Sequence, residues 1–306
     1  MSGENKKLSI KGSKDGLKIF SAVAVFAVTA AIGIIIRGIQ MAKFIDPKTG
    51  FYIGGEFLAV ILYAALIIGM LYFCTVSFLS SDNKKIEISG SVNKMAAIGA
   101  ILFAVSLIGD FYFCISAGVY NTGTANAGYA DIMKSGLLPL MIQSISALIS
   151  AVYFFILGSD FAKGTAKAYN RKFMATAPVL WAGARLIYRF LRQISFVQVS
   201  DLLLELVMIA FMIMFFMALA QTASGVYKDT FKWRIPAFGL SAALIAAVIS
   251  VPRMIVAVAA REFVNRNYPF SLNDLLFVIF ILTLMVKIKE DAQRPVVSAE
   301  YENKAE

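Results

Sequence analysis

Three arginines share one face of an apolar stretch in the middle of the chain. Arg185, Arg189 and Arg192 are spaced four and then three residues apart, so a helix places their guanidinium groups within one narrow face. Two carboxylates, Asp201 and Glu205, stand four residues apart at the start of the next apolar run. A charged side chain is costly in hydrocarbon and normally faces the bundle interior, a partner or water. We expect this helical hairpin to be the working part of the protein.

The chemistry that this pattern predicts is anion binding. Guanidinium groups hold carboxylate or phosphate through two parallel hydrogen bonds, so the ligand would be an anionic small molecule or a lipid headgroup. The nearby carboxylates would hold the arginines when no ligand is bound, and three aromatic residues would line the cavity: Tyr188, Trp181 and Phe196. The predicted ligand-binding residues are Arg185, Arg189, Arg192, Arg253, Asp110, Asp201, Glu205, Tyr188 and Trp181.

The composition places these residues in a membrane protein. Of 306 residues, 59% are hydrophobic, and the mean hydropathy is +0.75, whereas a soluble domain is closer to half apolar. Nearly uncharged runs of about 20 residues recur, which is the length of a transmembrane helix. The predicted fold is an all-α, polytopic membrane helix bundle with eight spans, at about residues 17–36, 57–79, 94–119, 137–157, 173–197, 202–222, 235–260 and 272–287.

The distribution of basic residues predicts the orientation. Of the 29 Lys and Arg residues, 19 lie on the side of the N-terminus in the eight-span arrangement and 6 lie on the opposite side. The positive-inside rule therefore puts both termini in the cytoplasm. We expect a disordered basic tail at 1–16, one transmembrane domain at 17–289 and a cytoplasmic tail at 290–306. The expected location is the cell membrane, of the bacterial cytoplasmic type.

The intramembrane charges are predicted to form one layer. Arg185 lies about 18 Å from the start of span five, slightly beyond the middle of a hydrocarbon core about 30 Å thick. Arg189, Arg192, Asp110 and Arg253 also fall in the outer half. Three carboxylates begin their spans from that same side: Asp201, Glu205 and Asp274. This placement favours a transporter or permease-like protein with an outward-facing site.

A second hypothesis explains the same residues without a ligand. Arginines of span five would pair with carboxylates of spans three and six, and this salt-bridge network would fix the helix register. The protein would then be a non-transporting receptor or an assembly subunit, working with an unidentified membrane partner. A stoichiometric companion in native membranes favours this hypothesis, and flux through the protein alone favours transport.

Other functional classes are disfavoured. The net charge of +10 resides at the ends of the apolar runs rather than in a basic patch, so we expect no nucleic-acid partner. Histidine is absent, which removes histidine-based metal sites, haem ligation by His and a Ser-His-Asp triad. Cys74 and Cys114 both lie inside apolar runs. We therefore predict no cofactor, no metal and no catalytic residue, and rank a membrane enzyme last.

Overall fold

The computed structural model describes residues 2–45, 52–80, 92–123, 137–165, 167–192, 199–224, 233–260 and 271–293. Over these ranges the chain is almost entirely helical, which confirms the predicted all-α class. A π-helix, Gln40–Phe44, continues the first long helix, and a short 3₁₀-helix, Lys167–Asn170, precedes the fifth. The eight long helices are α1 (Ser2–Ile39), α2 (Glu56–Ser80), α3 (Lys94–Gly123), α4 (Leu137–Lys163), α5 (Lys172–Arg192), α6 (Val199–Ser224), α7 (Arg234–Ala260) and α8 (Leu272–Gln293).

Six of these helices are long and apolar enough to cross a membrane, so the helices indicate an integral, multi-pass membrane protein. The six segments lie in α1, α2, α3, α4, α6 and α7. Helices α5 and α8 are not among the six, because each carries charged residues within its apolar stretch, such as Arg185 and Arg189 in α5 and Asp274 and Lys287 in α8. The total of eight spans and the sides of the termini stay predictions.

Helix α1 begins at Ser2 and therefore includes residues 2–16, which the composition predicts as a disordered tail. Extending an existing helix adds one hydrogen bond per ordered residue and needs no new nucleus. The apolar part of α1 supplies that nucleus for the polar turns that precede it. At the other end, α8 ends at Gln293, and the rest of the predicted tail at 290–306 lies outside the described residues.

Six helices form a closed ring. Each of α3, α4, α5, α6, α7 and α8 packs against the next, and α8 packs back against α3. Helices α1 and α2 lie outside this ring, where both contact α7 and α1 also contacts α8. In the ring, α5 stands opposite α8, with two helices between them on either side. This arrangement decides which side chains of non-sequential helices can meet.

Aromatic side chains fill the centre of the ring. Phe103 of α3 is fully buried, and its ring lies 4.9 Å from that of Phe154 and 6.1 Å from that of Trp181. It also stacks on Phe280 at 5.7 Å and on Phe216 at 6.2 Å. These five residues come from five different helices. Aromatic pairs at such separations stabilise a core beyond the area that they bury.

Glycines permit two close helix contacts within the ring. A Cβ atom on Gly158 of α4 would lie 3.2 Å from the backbone oxygen of Ala97 in α3. A Cβ atom on Gly99 of α3 would meet Thr283 and lie 3.3 Å from the Cα atom of Phe280 in α8. Small residues at helix interfaces are typical of membrane bundles, because dispersion contacts must hold the helices together there.

We predict that Phe103→Ala destabilises the protein by about 3–5 kcal/mol, because it opens a cavity that five helices line. Phe113→Ala on the same helix is the matched control, since Phe113 is 64% exposed on the outer surface. The measurement is unfolding in mixed detergent micelles. Equal losses for the two variants would contradict a core centred on Phe103.

Candidate functional site

Helix α5 directs its polar face into the ring. Trp181, Arg185 and Arg189 are four residues apart, so they share one face of the helix. Trp181 and Arg185 are buried, and Arg189 is partly exposed. On the other side of the helix, Leu180 and Phe190 are exposed, as expected of side chains that contact lipid.

Arg185 makes a two-point ion pair across the ring. Its Nη1 atom lies 2.6 Å from Oδ1 of Asp274, and its Nη2 atom lies 2.8 Å from Oδ2. Both residues are buried, and Asp274 is in the first turn of α8. Parallel hydrogen bonds of this kind combine charge attraction with a fixed geometry. The pair therefore joins two opposite helices at the end of the ring where α5 ends and α8 begins.

Glu205 of α6 lies among three guanidinium groups. Its Oε1 atom is 3.1 Å from Nη2 of Arg189 and 3.7 Å from Nη2 of Arg185, and the carboxylate also interacts electrostatically with Arg253. Glu205 is buried, yet Oε1 accepts no hydrogen bond of good geometry. Glu205 is therefore surrounded by positive charge but is held less tightly than Asp274.

Asp110 anchors the inner side of the same site. Its Oδ2 atom accepts hydrogen bonds from Nε1 of Trp181 at 2.7 Å and from Nε2 of Gln143 at 2.9 Å. The guanidinium of Arg185 lies 5.7 Å from the centre of the Trp181 ring, within the range of a cation–π contact. Asp110 thus holds the indole over which Arg185 rests.

Arg253 and Arg37 extend the site toward α1. Arg253 of α7 is buried directly after Pro252, and it interacts electrostatically with Glu205 on one side and with Arg37 on the other. Arg37 is buried in the last turn of α1, where Nη1 donates to Oε1 of Gln40 and to the hydroxyl of Tyr52, each at 2.9 Å. We call this assembly, from Arg37 through Arg253 and Glu205 to Asp274, the charged end of the bundle.

The structure brings most of the predicted site residues together. Six of them lie at the charged end through direct contacts or electrostatic interactions, and Tyr188 is partly buried on α5 one residue before Arg189. The side chains of Arg192 and Asp201 lie outside the described part of the chain, although both residues are helical. The six residues are Arg185, Arg189, Arg253, Asp110, Glu205 and Trp181.

The burial of Arg185 differs from what an open cavity requires. The sequence predicts a vestibule centred on the arginine face, whereas both Nη groups of Arg185 donate to the carboxylate of Asp274 within the protein. Of the two arginines of this face whose side chains are described, Arg189 keeps 23% of its side chain exposed and Arg185 keeps 5%, so Arg189 is the more accessible one.

Sequence reasoning missed three residues that complete the site. Gln143, Gln40 and Tyr52 are uncharged, so the depth of charges along each span gives no signal for them. The sequence predicts Asp274 in the same layer as Arg185, but several carboxylates share that layer. Their positions along the spans do not indicate which one pairs with Arg185. An amide within a predicted span was the signal that could have found Gln143, because such a group needs internal partners. Gln40 follows the predicted end of the first span, so it carried no such signal.

Within the described residues, no three His, Cys, Asp or Glu side chains are grouped so that they could hold a metal ion. Comparison of the chain with protein-family models, with curated proteins and with solved structures found no match. The function is therefore inferred from the residues and their contacts.

We predict that Arg185→Met and Asp274→Leu each destabilise the protein by about 3–5 kcal/mol, because each leaves a buried charge without its partner. The double variant should recover most of that loss, since no uncompensated charge remains. A double-mutant cycle in mixed micelles measures both effects.

Glu290→Gln is the control for the loss of a carboxylate on the same helix. Glu290 is exposed and accepts one hydrogen bond, from Asn93 at 2.7 Å, near the other end of α8. Its replacement should change the free energy of unfolding by less than about 1 kcal/mol. If Asp274→Leu lowered the free energy of unfolding by no more than Glu290→Gln does, the Arg185–Asp274 pair would not be what holds α5 to α8.

Proposed function

We propose that this chain is a membrane transport protein that binds an anionic small molecule or a lipid headgroup at its charged end. The observation that carries the proposal is the environment of Glu205, a buried carboxylate placed among Arg185, Arg189 and Arg253. Guanidinium groups near one another favour negative charge between them. The chain's own carboxylate, that of Glu205, supplies that charge here.

A ligand would bind by replacing Glu205. Arg189 is partly accessible, and a single close contact joins it to Glu205. A ligand carboxylate or phosphate can therefore replace Glu205 and bind the Arg189 guanidinium through two hydrogen bonds. Arg253 supplies a second positive charge from α7. Arg185 is a positioning residue, because Asp274 holds it while it fixes the face of α5. Trp181 and Tyr188 would flank the ligand, and Arg192 and Asp201 stay predicted members of the site.

Replacement of Glu205 also gives the ligand a mechanical effect. The ion pair between Arg189 and Glu205 joins α5 to α6. A ligand that binds Arg189 in place of Glu205 breaks this ion pair. A ligand shifts a conformational equilibrium only by its difference in affinity for the two states. Release of this tie supplies such a difference, and it favours a state in which α5 and α6 have separated at the charged end.

We propose that α5 and α8 cross the membrane as well, which makes eight spans with both termini cytoplasmic. Each lies in the ring between helices that are apolar enough to span. Their intramembrane charges, Arg185 and Asp274, face each other rather than lipid. On this topology the charged end lies toward the extracellular surface and the site faces outward.

The structural hypothesis is favoured by a different observation. The Arg185–Asp274 pair is buried and satisfied at both carboxylate oxygens, as expected of a permanent helix tie. If Glu205 belonged to the same permanent network, the protein would be a non-transporting receptor or assembly subunit.

We predict that Glu205→Gln increases the affinity for anions, because it removes the internal competitor while keeping the shape of the side chain. A thermal-shift screen of purified protein with acetate, succinate, citrate, inorganic phosphate and phosphatidylglycerol measures this effect. A ligand at 100 times its Kd adds about 2.7 kcal/mol of stability, which is about a 5 °C rise in Tm for a chain of this size. Arg189→Gln should abolish the shift.

Arg171→Gln is the matched control, because Arg171 is exposed just before α5 and contacts Met174 instead of a carboxylate. It should respond to anions like the unmodified protein. The proposal is overturned if no probe raises the Tm of either the unmodified protein or Glu205→Gln. A stabilising probe that is not carried into liposomes would favour the receptor.

The proposed topology predicts that reporters fused to the two termini are both active on the cytoplasmic side. Eight crossings return the chain to the side from which it started. A fusion within 193–198, between α5 and α6, should report the opposite side. Reporters at the two termini that disagreed would exclude an even number of spans.

A further inference from the structure

Asp110 of α3 differs from the other carboxylates of this site, because its hydrogen bonds come from neutral groups. Its Oδ2 atom accepts from Nε1 of Trp181 at 2.7 Å and from Nε2 of Gln143 at 2.9 Å. Glu205 and Asp274, by contrast, each lie within ion-pair distance of an arginine. Ionisable residues inside a membrane bundle commonly mark proton or ion sites. A proton can neutralise Asp110 without breaking an ion pair between the described residues.

The amide of Gln143 lacks one hydrogen bond beside this carboxylate. Gln143 is 5% exposed, and its Oε1 atom is buried and accepts no hydrogen bond. This oxygen has almost no surface that a water molecule could touch. A buried acceptor without a donor is destabilising by about 1–3 kcal/mol. The hydrogen that satisfies it must therefore come from a group that already contacts the amide.

Asp110 is the neighbour that can supply this hydrogen. Trp181 has one side-chain hydrogen, which it gives to Oδ2 of Asp110, and the hydroxyl of Ser146 donates to backbone oxygens of its own helix. A protonated carboxyl group has one O–H donor and keeps an acceptor oxygen. With a proton on Oδ1, Asp110 would donate to Oε1 of Gln143 while Oδ2 still accepts from Nε2. The two ends of the amide thus match the two oxygens of a neutral carboxyl group.

The ionisable groups that face Asp110 lie on neighbouring helices and on α3 itself. Cys114, one turn later on α3, and Arg185 of α5 both interact with Asp110 electrostatically. Arg185 is already paired at two points with Asp274 of α8. On α4, the first ionisable residue is Tyr153, ten residues beyond the amide and about 15 Å away along the helix. Protonation of Asp110 therefore leaves Arg185 with its counter-charge.

We propose that Asp110 binds a proton together with the anionic ligand. This inference rests on the proposed function, because the anion site at Arg189 and Glu205 is its partner. The proton comes from solution and adds to Oδ1 of the partly exposed Asp110, and no bond of the protein breaks. It removes one negative charge from the charged end as the anion adds its own. The coupling is reciprocal: neutral Asp110 strengthens anion binding, and a bound anion strengthens proton binding.

Proton uptake during anion binding tests the proposal. Succinate is added to the purified, weakly buffered protein at a pH at which succinate itself is fully ionised, and an indicator dye reports the protons taken up. The unmodified protein should take up protons, and its apparent Kd should rise by up to about tenfold per pH unit, as one linked proton requires. Asp110→Asn should bind succinate without uptake and with a Kd that does not change with pH. Its neutral amide can accept from Trp181 and donate to Gln143 at every pH.

Glu290→Gln and Cys114→Ala are the matched controls. Glu290 is an exposed carboxylate near the other end of α8, and Cys114 is the ionisable neighbour of Asp110 on α3. Both variants should keep the uptake and the pH dependence. If Glu205→Gln lost the uptake while Asp110→Asn kept it, the displaced Glu205 would be the proton acceptor, and the assignment to Asp110 would be overturned.

Infrared spectroscopy measures the proton site without any anion. Lowering the pH should produce the carbonyl band of a neutral carboxyl group that Asp110→Asn lacks. Gln143→Met removes the amide with little change in volume, so it should shift the frequency of this band by removing the hydrogen bond to Oε1. A purely structural role of Gln143 would leave the frequency unchanged. The proton site is overturned if the unmodified protein and Asp110→Asn show the same carboxyl bands at every pH.

The two proposals give separable results. Succinate binding without proton uptake overturns the coupling and leaves the proposed function in place. An infrared band of Asp110 in a protein that binds none of the screened anions overturns the proposed function and leaves only the proton site.

Discussion

The ion pair between Arg185 and Asp274 is the contact on which the charged end depends. An arginine buried without a counter-charge would be strongly destabilising, and the two-point geometry satisfies both carboxylate oxygens at once. Because α5 and α8 stand opposite each other in the ring, the pair fixes the rotation of both helices. Trp181, one turn earlier on α5, is thereby directed toward Phe103, and Arg189, one turn later, is directed toward Glu205.

Two kinds of interaction, at different positions along the helices, hold the ring together. Aromatic packing around Phe103 fills its centre, and charge pairing joins the helices beyond it. The aromatic layer resists change because a cavity there would lose many dispersion contacts. The ionic layer is uneven: Asp274 is bound at two points, whereas Oε1 of Glu205 lies near the guanidinium groups of Arg185 and Arg189 without a well-formed hydrogen bond. We therefore expect an anion to bind most favourably between α5 and α6, where it can form the hydrogen bonds that Glu205 does not.

Arg253 extends the charged end from α6 toward α1. It interacts electrostatically with both Glu205 and Arg37, and it follows Pro252, whose ring removes a backbone hydrogen bond from α7. A change of charge at Glu205 therefore alters the electrostatic field at Arg253.

Apolar length in the sequence determined the helical class and six candidate membrane spans. The layer of charges within the membrane stays a prediction. Spacing along α5 also put Arg185 and Arg189 on one face, because helix geometry is local. Only the tertiary structure decided that Arg185 pairs with Asp274 rather than Glu205, and that Gln40 and Gln143 belong to the same end. These pairings depend on the order of helices around the ring. That order is set by packing among side chains far apart in the chain, such as Phe103 with Phe280, and no periodicity within one helix records it.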